Sequence, residues 1–453
     1  MKTLASYRTE AAKILMLAWP LVLGNLSGVA IQFTDALMVA QLGTIEFAAV
    51  GLAGHLASII FLLCSGIGQA IGVRVAQLCG ETGGEAEPLR KVIWQGLWVI
   101  AIVTLPLSLT LLLAGQVFEI TGQAKNVSAI GAEYLEWFLW AIPLMVMFVG
   151  LAGAVTALDR PRMVMGVALL TILVNFVCNY ALIFGKFGFP ALGTSGAAIA
   201  SIASAAFQAL AIGGVLALEP HLARIQFWRN VDWPDFAQAL VMLRLGLPIG
   251  LILLVEVAFF SVTAFLAGQY GAEVLAAHQI AIQVVTLTLM IALGMSQATS
   301  VRAGYAFGRA DFKDAARTGV TGAFAITLIM AMLSAAIVFL ASPIVAMFAD
   351  IRSEAGQLAI TFLWIAAAFQ IADGLQTVLA GALKGMSDTK IPLILAIVAY
   401  WAIGMVAIVA FSSTLELGPF GIWLGMALAL AVLSLLLIHR FIRLVRRAPE
   451  ARQ

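Results

Sequence analysis

The sequence predicts an all-α polytopic membrane protein, with twelve transmembrane helices in two pseudo-symmetric six-helix lobes. Three observations predict it. Apolar residues make up 62% of the 453 residues and charged residues only 11%, against roughly 25% charged in soluble domains. Apolar runs of about twenty residues, long enough to cross a bilayer as helices, recur along the whole chain. The two halves also repeat one another at a constant spacing.

Taken in order, Met1 to Lys13 are polar, and an apolar run then reaches Val39 without a small-residue cleavage pattern. That pattern is the one expected of a retained first span and not of a signal peptide. Spans are expected at about 14–38, 48–73, 92–114, 133–155, 162–184 and 195–217. Six more are expected at about 239–267, 275–301, 319–341, 356–382, 391–412 and 420–439. The connections are short and carry Gly, Pro or charge, as at Gly83-Gly84, Asp159-Arg160-Pro161 and Gly418-Pro419. The longest, Glu219 to Asp235, holds Pro220 and Pro234 among dense polar residues. It reads as the link between an N-terminal lobe, 1–228, and a C-terminal lobe, 229–453. Cys64, Cys79 and Cys178 lie in or beside spans, with no metal spacing, and are expected to pack as thiols.

Charge placement tests the map independently. With the N-terminus in the cytoplasm, 22 of the 25 Lys and Arg residues fall on the inner side, leaving only Lys125, Lys186 and Arg352 outside. The positive-inside rule then predicts cytoplasmic N- and C-termini.

The repeat has an offset of 228. It pairs Pro20 with Pro248, Gln41 with Gln269, Gly66 with Gly294, Gln69 with Gln297, Arg74 with Arg302 and Gly80 with Gly308. Leu151-Ala-Gly-Ala154 matches Leu379-Ala-Gly-Ala382 in the same register. Six spans separate the copies, so they share one membrane orientation and form a parallel repeat. Two such lobes around a central cavity are what alternating access requires.

Three acids lie within spans: Asp35, Glu256 and Asp373. A carboxylate in hydrocarbon costs at least ~2.5 kcal/mol on insertion scales, so each needs a partner, water or a ligand. Glu256 and Asp373 both fall near mid-span and could share a cation or a proton. Oxygen donors suit a hard cation such as Na+. In the N-terminal lobe, Gln32, Thr34, Asn175, Asn179 and Ser201 could support Asp35; Asn175 and Asn179, four apart, share a helix face. In the C-terminal lobe His278, Gln279, Gln283, Gln376, Phe259 and Tyr400 are candidates to support the acids or line a substrate cavity. His55 and His278 show no zinc spacing with other ligands. Gly66-Ile67-Gly68 lies in a span and no Gly-Lys-Ser/Thr follows, so it is not a phosphate loop. Nothing is patterned for nucleotide hydrolysis, nucleic acid or a nucleophile elbow, so the expectation is a transporter driven by an ion gradient, and not an enzyme.

Gln32-Phe-Thr-Asp35, Gly246-Leu-Pro-Ile-Gly-Leu251 with Glu256, Ala372-Asp-Gly-Leu-Gln-Thr-Val-Leu-Ala-Gly-Ala382 and Gly193-Thr-Ser-Gly-Ala-Ala-Ile-Ala-Ser201 together resemble the multidrug and toxic compound extrusion (MATE) family. The acid trio resembles its bacterial NorM-type branch. The DinF-like branch carries an acid on the fifth helix, where this chain has Asn175 and Asn179. The resemblance implies an antiporter of the bacterial inner membrane, expelling cationic amphipathic drugs against inward Na+ or H+. It implies that Glu256 and Asp373 bind the coupling cation, a Na+ site if sodium is coupled. It also ties Asp35 to coupling beside Asn175, Asn179 and Ser201. No resident cofactor is expected, and the partners are the small-molecule substrate and the lipid bilayer around a monomer. The alternative is a lipid or polyisoprenoid-linked substrate flippase of similar two-lobe design, which would show a more basic cavity.

Overall fold

The computed structural model describes residues 2–447. The chain runs α1 (Lys2–Ala40), α2 (Thr44–Thr82), α3 (Ala86–Leu109), α4 (Ala114–Ile120), α5 (Lys125–Phe138), α6 (Ala141–Ala157), α7 (Pro161–Phe184) and α8 (Gly193–Leu218). It continues through α9 (Phe236–Gly268), α10 (Ala272–Gly308), α11 (Phe312–Ala346), α12 (Glu354–Gly385), α13 (Lys390–Ile397), α14 (Met405–Val409) and α15 (Pro419–Arg447). No strand occurs among the described residues. A tight 3-10 turn, Thr110–Leu113, joins α3 to α4, and π-helical stretches at Val398–Gly404 and Ala410–Thr414 flank α14.

Among the described residues eleven stretches are long and apolar enough to cross a membrane, and the bent pair α5 and α6, taken as one span, is a twelfth. The expected spans each fall inside one of them, and among the described residues only the fourth is broken by a sharp bend. Its two pieces meet at 47° across Leu139 and Trp140. Pro143 accounts for the break, because it has no N–H for the Leu139 carbonyl four residues back and its ring crowds that oxygen.

The chain packs as two compact units. One comprises the residues up to Val22 and those from Ile252 onward; the other comprises Leu23–Leu251. Both α1 and α9 therefore change unit part-way, just after Pro20 and Pro248, the residues paired by the repeat. A proline inside a helix removes one backbone hydrogen bond and lets the axis bend.

In the first unit, Ile14, Leu17, Ala18 and Leu21 of α1 pack with Ala292, Met295, Ile326, Met330 and Val378. Glu10, 2% exposed, fixes the start of α1. Its carboxylate accepts from Arg302 Nε at 3.0 Å, Arg302 Nη2 at 2.7 Å and Thr318 Oγ1 at 2.9 Å. A two-pronged guanidinium–carboxylate contact of this kind is the strong form of the interaction. Arg317 Nη1 adds a bond to Ser6 Oγ at 2.5 Å. Cys64, Cys79 and Cys178 are free thiols.

In the second unit, close approach is set by missing side chains. A Cβ on Gly66 would meet the backbone of Gly250 and Gly246, and a Cβ on Gly72 would meet Gly153. Small residues let helices in lipid approach backbone to backbone, where packing replaces the absent hydrophobic drive. Gly66→Leu should therefore lower the melting temperature in detergent sharply, since overpacking costs typically 1–3 kcal/mol or more. Gly24→Ala, with no neighbour within 4 Å of its Cβ, should be neutral or stabilising. Equal melting temperatures for Gly66→Leu and the wild type would refute this packing.

Candidate coupling site

In the first unit, α12 supplies Asp373, Gln376 and Thr377, α9 supplies Glu256, and the π-helical stretch after α13 supplies Tyr400. Asp373 and Gln376 are one turn apart, so both face α9 from a single face of α12. The Gln376 side-chain amide joins the two acids. Its Nε2 lies 3.3 Å from Glu256 Oε1, 3.3 Å from Asp373 Oδ1 and 3.1 Å from Thr377 Oγ1. An amide nitrogen has two protons, so three oxygens compete for two donors. Tyr400 relieves part of the shortage, its hydroxyl donating to Glu256 Oε1 at 3.2 Å.

Asp373, Gln376, Thr377 and Tyr400 are buried, and Glu256 is half-buried. Phe259 is fully buried, 5.0 Å from the Tyr400 ring and 5.7 Å from that of Phe260, so it backs the tyrosine. Tyr400 sits where the helix widens to the π form, a rare local geometry that recurs at functional sites.

The position of α12 comes from small-residue contacts with α10. A Cβ on Gly381 would meet Ser296, and one on Gly385 would meet Ser300 and Gly304. The Ser296 hydroxyl donates to the Thr377 carbonyl at 2.7 Å, next to Gln376. One turn before Asp373, the buried Gln370 donates to Thr288 Oγ1.

The second unit holds the third acid. Asp35 Oδ1 accepts from Asn179 Nδ2 at 2.5 Å, and the same nitrogen lies 3.2 Å from Asn175 Oδ1. Both asparagines are buried on one face of α7, and Asn175 Nδ2 and Asn179 Oδ1 are left without a partner. Tyr134 of α5, buried, reaches Ser201 of α8. Sequence reasoning missed Tyr134, which sits among Glu133, Glu136 and Trp137 and looks there like an interface residue.

Other candidates lie apart from these clusters. His278 is buried with both ring nitrogens unpartnered, its ring edge-on to Trp423 at 5.3 Å. Gln279 and Gln283 are exposed and make no bond to the acids. Gln32 is exposed as well, while the Thr34 and Ser201 hydroxyls donate to the carbonyls of Ala30 and Ala197 at 2.9 and 3.0 Å.

Chemically, the first-unit site offers two carboxylates with amide and hydroxyl oxygens close by, a donor set that fits Na+ or a shared proton. Among the described residues no group of three or more His, Cys, Asp or Glu side chains is arranged as a metal site, so a Na+ here would need neutral oxygens to complete its shell.

This is a multi-pass membrane protein of the transporter class, with paired acids inside its spans. The chain belongs to the MatE family, whose profile matches residues 20–181 and again 248–409, two copies displaced by 228. It is 37% identical to a probable multidrug resistance protein NorM of Rhizobium meliloti (strain 1021), over 98% of this chain and 96% of that protein. It is 33% identical to a protein of the same description from Synechococcus sp. (strain ATCC 27144 / PCC 6301 / SAUG 1402/1), again over 98% and 96%. Its fold matches the crystal structure of the eukaryotic MATE transporter AtDTX14, with a TM-score of 0.86 at 19% identity over 98% and 99% of the two chains. It matches an outward-facing multidrug resistance MATE family transporter of the MOP superfamily at a TM-score of 0.86, 21% identity and 97% and 96% coverage.

The shared amide makes a direct prediction for the site. Gln376→Leu should cost about 1–3 kcal/mol of stability, because the buried Asp373 and the half-buried Glu256 lose a shared donor. In a double-mutant cycle with Asp373→Asn, thermal unfolding should show a coupling above ~0.5 kcal/mol. Additive effects would mean that the amide does not join the acids.

Proposed function

We propose that the protein is a secondary active antiporter that exports cationic amphipathic compounds, drugs and other toxic molecules among them, in exchange for inward Na+ or H+. The observation that carries the proposal is the amide of Gln376 held between Glu256 and Asp373, since one nitrogen ties two membrane-embedded acids into one cation-responsive unit. Family membership and full-length similarity to proteins described as probable multidrug resistance proteins support the direction of transport and the substrate class.

In this mechanism the transporter opens alternately to the two sides of the bacterial inner membrane, with both termini in the cytoplasm and the halves 1–228 and 229–453 as its working lobes. Outward opening lets a cation reach Glu256 and Asp373. Its binding lowers affinity for a positively charged substrate, which leaves outward. Return to the inward state releases the cation, and a new substrate cation replaces it. Coupling requires only that each ligand disfavour the other, and competition for the same negative charge supplies that difference. Asp35, with Asn175, Asn179, Ser201 and Tyr134, forms a second cation-responsive cluster. The chain works as a monomer and catalyses no covalent chemistry. A flippase for pyrophosphate-linked lipids would need in-span positive charge, whereas the in-span ionisable residues singled out here are acids.

Reconstituted into proteoliposomes, Glu256→Gln should lose drug-driven cation exchange while keeping the wild-type melting profile. Exchange at the wild-type rate would remove the acid pair from coupling. In everted vesicles, ethidium transport should respond to an imposed Na+ gradient or an imposed pH gradient, and indifference to both would overturn antiport itself.

A further inference from the structure

The connection between the repeats is bound tightly to the second unit. Arg90 Nε meets Asp232 Oδ2 at 2.9 Å, and Gln95 bonds both ways, its Nε2 to the Trp233 carbonyl at 2.6 Å and its Oε1 to the Asp235 N–H at 2.7 Å. Three indoles turn their N–H groups onto backbone. Trp94 donates to Phe227 O at 3.0 Å, Trp98 to Asp232 O at 3.0 Å, and Trp228 to Gly213 O at 3.2 Å. Trp94 and Phe227 stack at 4.9 Å.

Beneath this strap is a cavity of about 390 Å³, within the range of ligand pockets. Its walls include Trp94, Trp98, Leu144, Met147, Leu210 and Trp228, and its surface is almost wholly apolar. Because the indole N–H groups are already spent on backbone carbonyls, almost only apolar atoms face the space. Ala101, Leu210 and Trp228 are exposed at its mouth. Trp94 to Ala101 lie 2 to 9 residues along α3 from the start of the expected span at 92, roughly 3–14 Å along the helix. The cavity thus runs from headgroup level to the depth of an acyl chain, under a polar roof that an ordinary lipid-facing groove lacks.

We propose that this cavity holds one acyl chain of an anionic phospholipid from the leaflet on the side of the strap, with Arg229 meeting the phosphate. Charge complementarity selects this occupant. Arg229, next to Trp228, is exposed and has no ion pair among the described residues, and neither does the exposed Arg224. Of the strap's acids, Asp232 is held by Arg90 and Asp235 accepts from the Ala237 N–H, and neither lines the cavity, whose walls offer a cationic drug no carboxylate. The bound lipid would fix the strap against α3 and α8, a role independent of the coupling acids.

The test is native mass spectrometry of the full chain released from vesicles of equal phosphatidylglycerol and phosphatidylcholine. The wild type should retain one phosphatidylglycerol preferentially. Arg229→Gln should lose about fivefold of that preference, the share expected of one arginine near an anionic surface. Ala101→Phe, which narrows the mouth, should lose the lipid, with ethidium transport from everted vesicles unchanged in both variants. Equal retention of the two lipids by the wild type overturns the proposal. So does an identical bound-lipid profile in all three proteins, or retention of ethidium in place of lipid that Ala101→Phe removes. Ala209→Phe, filling the cavity from its buried wall, repeats the test should Ala101→Phe fail to fold.

Discussion

The donor shortage around Gln376 is the constraint on which the rest of the site depends. In hydrocarbon no water completes an unfilled hydrogen bond, so a buried acceptor must be met by protein or by a ligand. Glu256, Asp373 and Thr377 put three oxygens around one nitrogen, and Tyr400 supplies a single further donor. An arrangement fully satisfied by its own side chains would have no use for an incoming cation. One left short of donors is what the proposed exchange of a cation requires. The same logic holds around Asp35, where the amides of Asn175 and Asn179 are only partly used.

Placing such a cluster needs helices held at fixed distance without polar glue of their own. Gly381 and Gly385 bring α12 onto α10, and the Ser296 hydroxyl then takes the Thr377 carbonyl one residue beyond Gln376. In the second unit the corresponding pair, α2 and α6, meets through Gly68, Gly72, Gly150 and Gly153. Ser296 stands where the first copy has Gly68, at the offset of 228. The exchange adds one hydroxyl at the contact nearest the acids, and that hydroxyl hydrogen-bonds across the helix pair.

Much of this was legible in the sequence because membrane helices obey a strong one-dimensional rule. Length and apolarity located the spans, and fixed-register Pro, Gln and Arg exposed the repeat, which the family profile matches at the same displacement. Asp35, Glu256 and Asp373 announced themselves by cost alone. The joining groups Gln376 and Tyr400 stood only as candidates among several polar residues. Gln376 is one of several in-span glutamines, and only the helix-to-helix geometry separates it from the exposed Gln279 and Gln283. Tyr400 depends on a π-helical widening that periodicity does not encode, and Tyr134 reads as an interface residue beside two glutamates. The break in the fourth span was readable from Pro143, yet the transfer of α1 and α9 from one unit to the other rests on packing that no local pattern records.

The two copies also show how a site arises on a duplicated scaffold. At the position of Asp35 the second copy has Thr263, fully buried, whose hydroxyl donates to the Phe260 carbonyl at 2.7 Å within its own helix. At the position of Glu256 the first copy has Gly28, with open space around it, and at that of Asp373 it has Met145. Each acid therefore faces a counterpart that is self-satisfied or apolar. Had both copies kept acids at the same positions, symmetry would have given each half the same affinity for cations. The divergence instead makes one cluster a pair of carboxylates on a shared amide and the other a single carboxylate among asparagines. On the proposed mechanism, two sites of different charge would bind the same cation unequally, and that inequality would give a symmetric scaffold a direction in which to work.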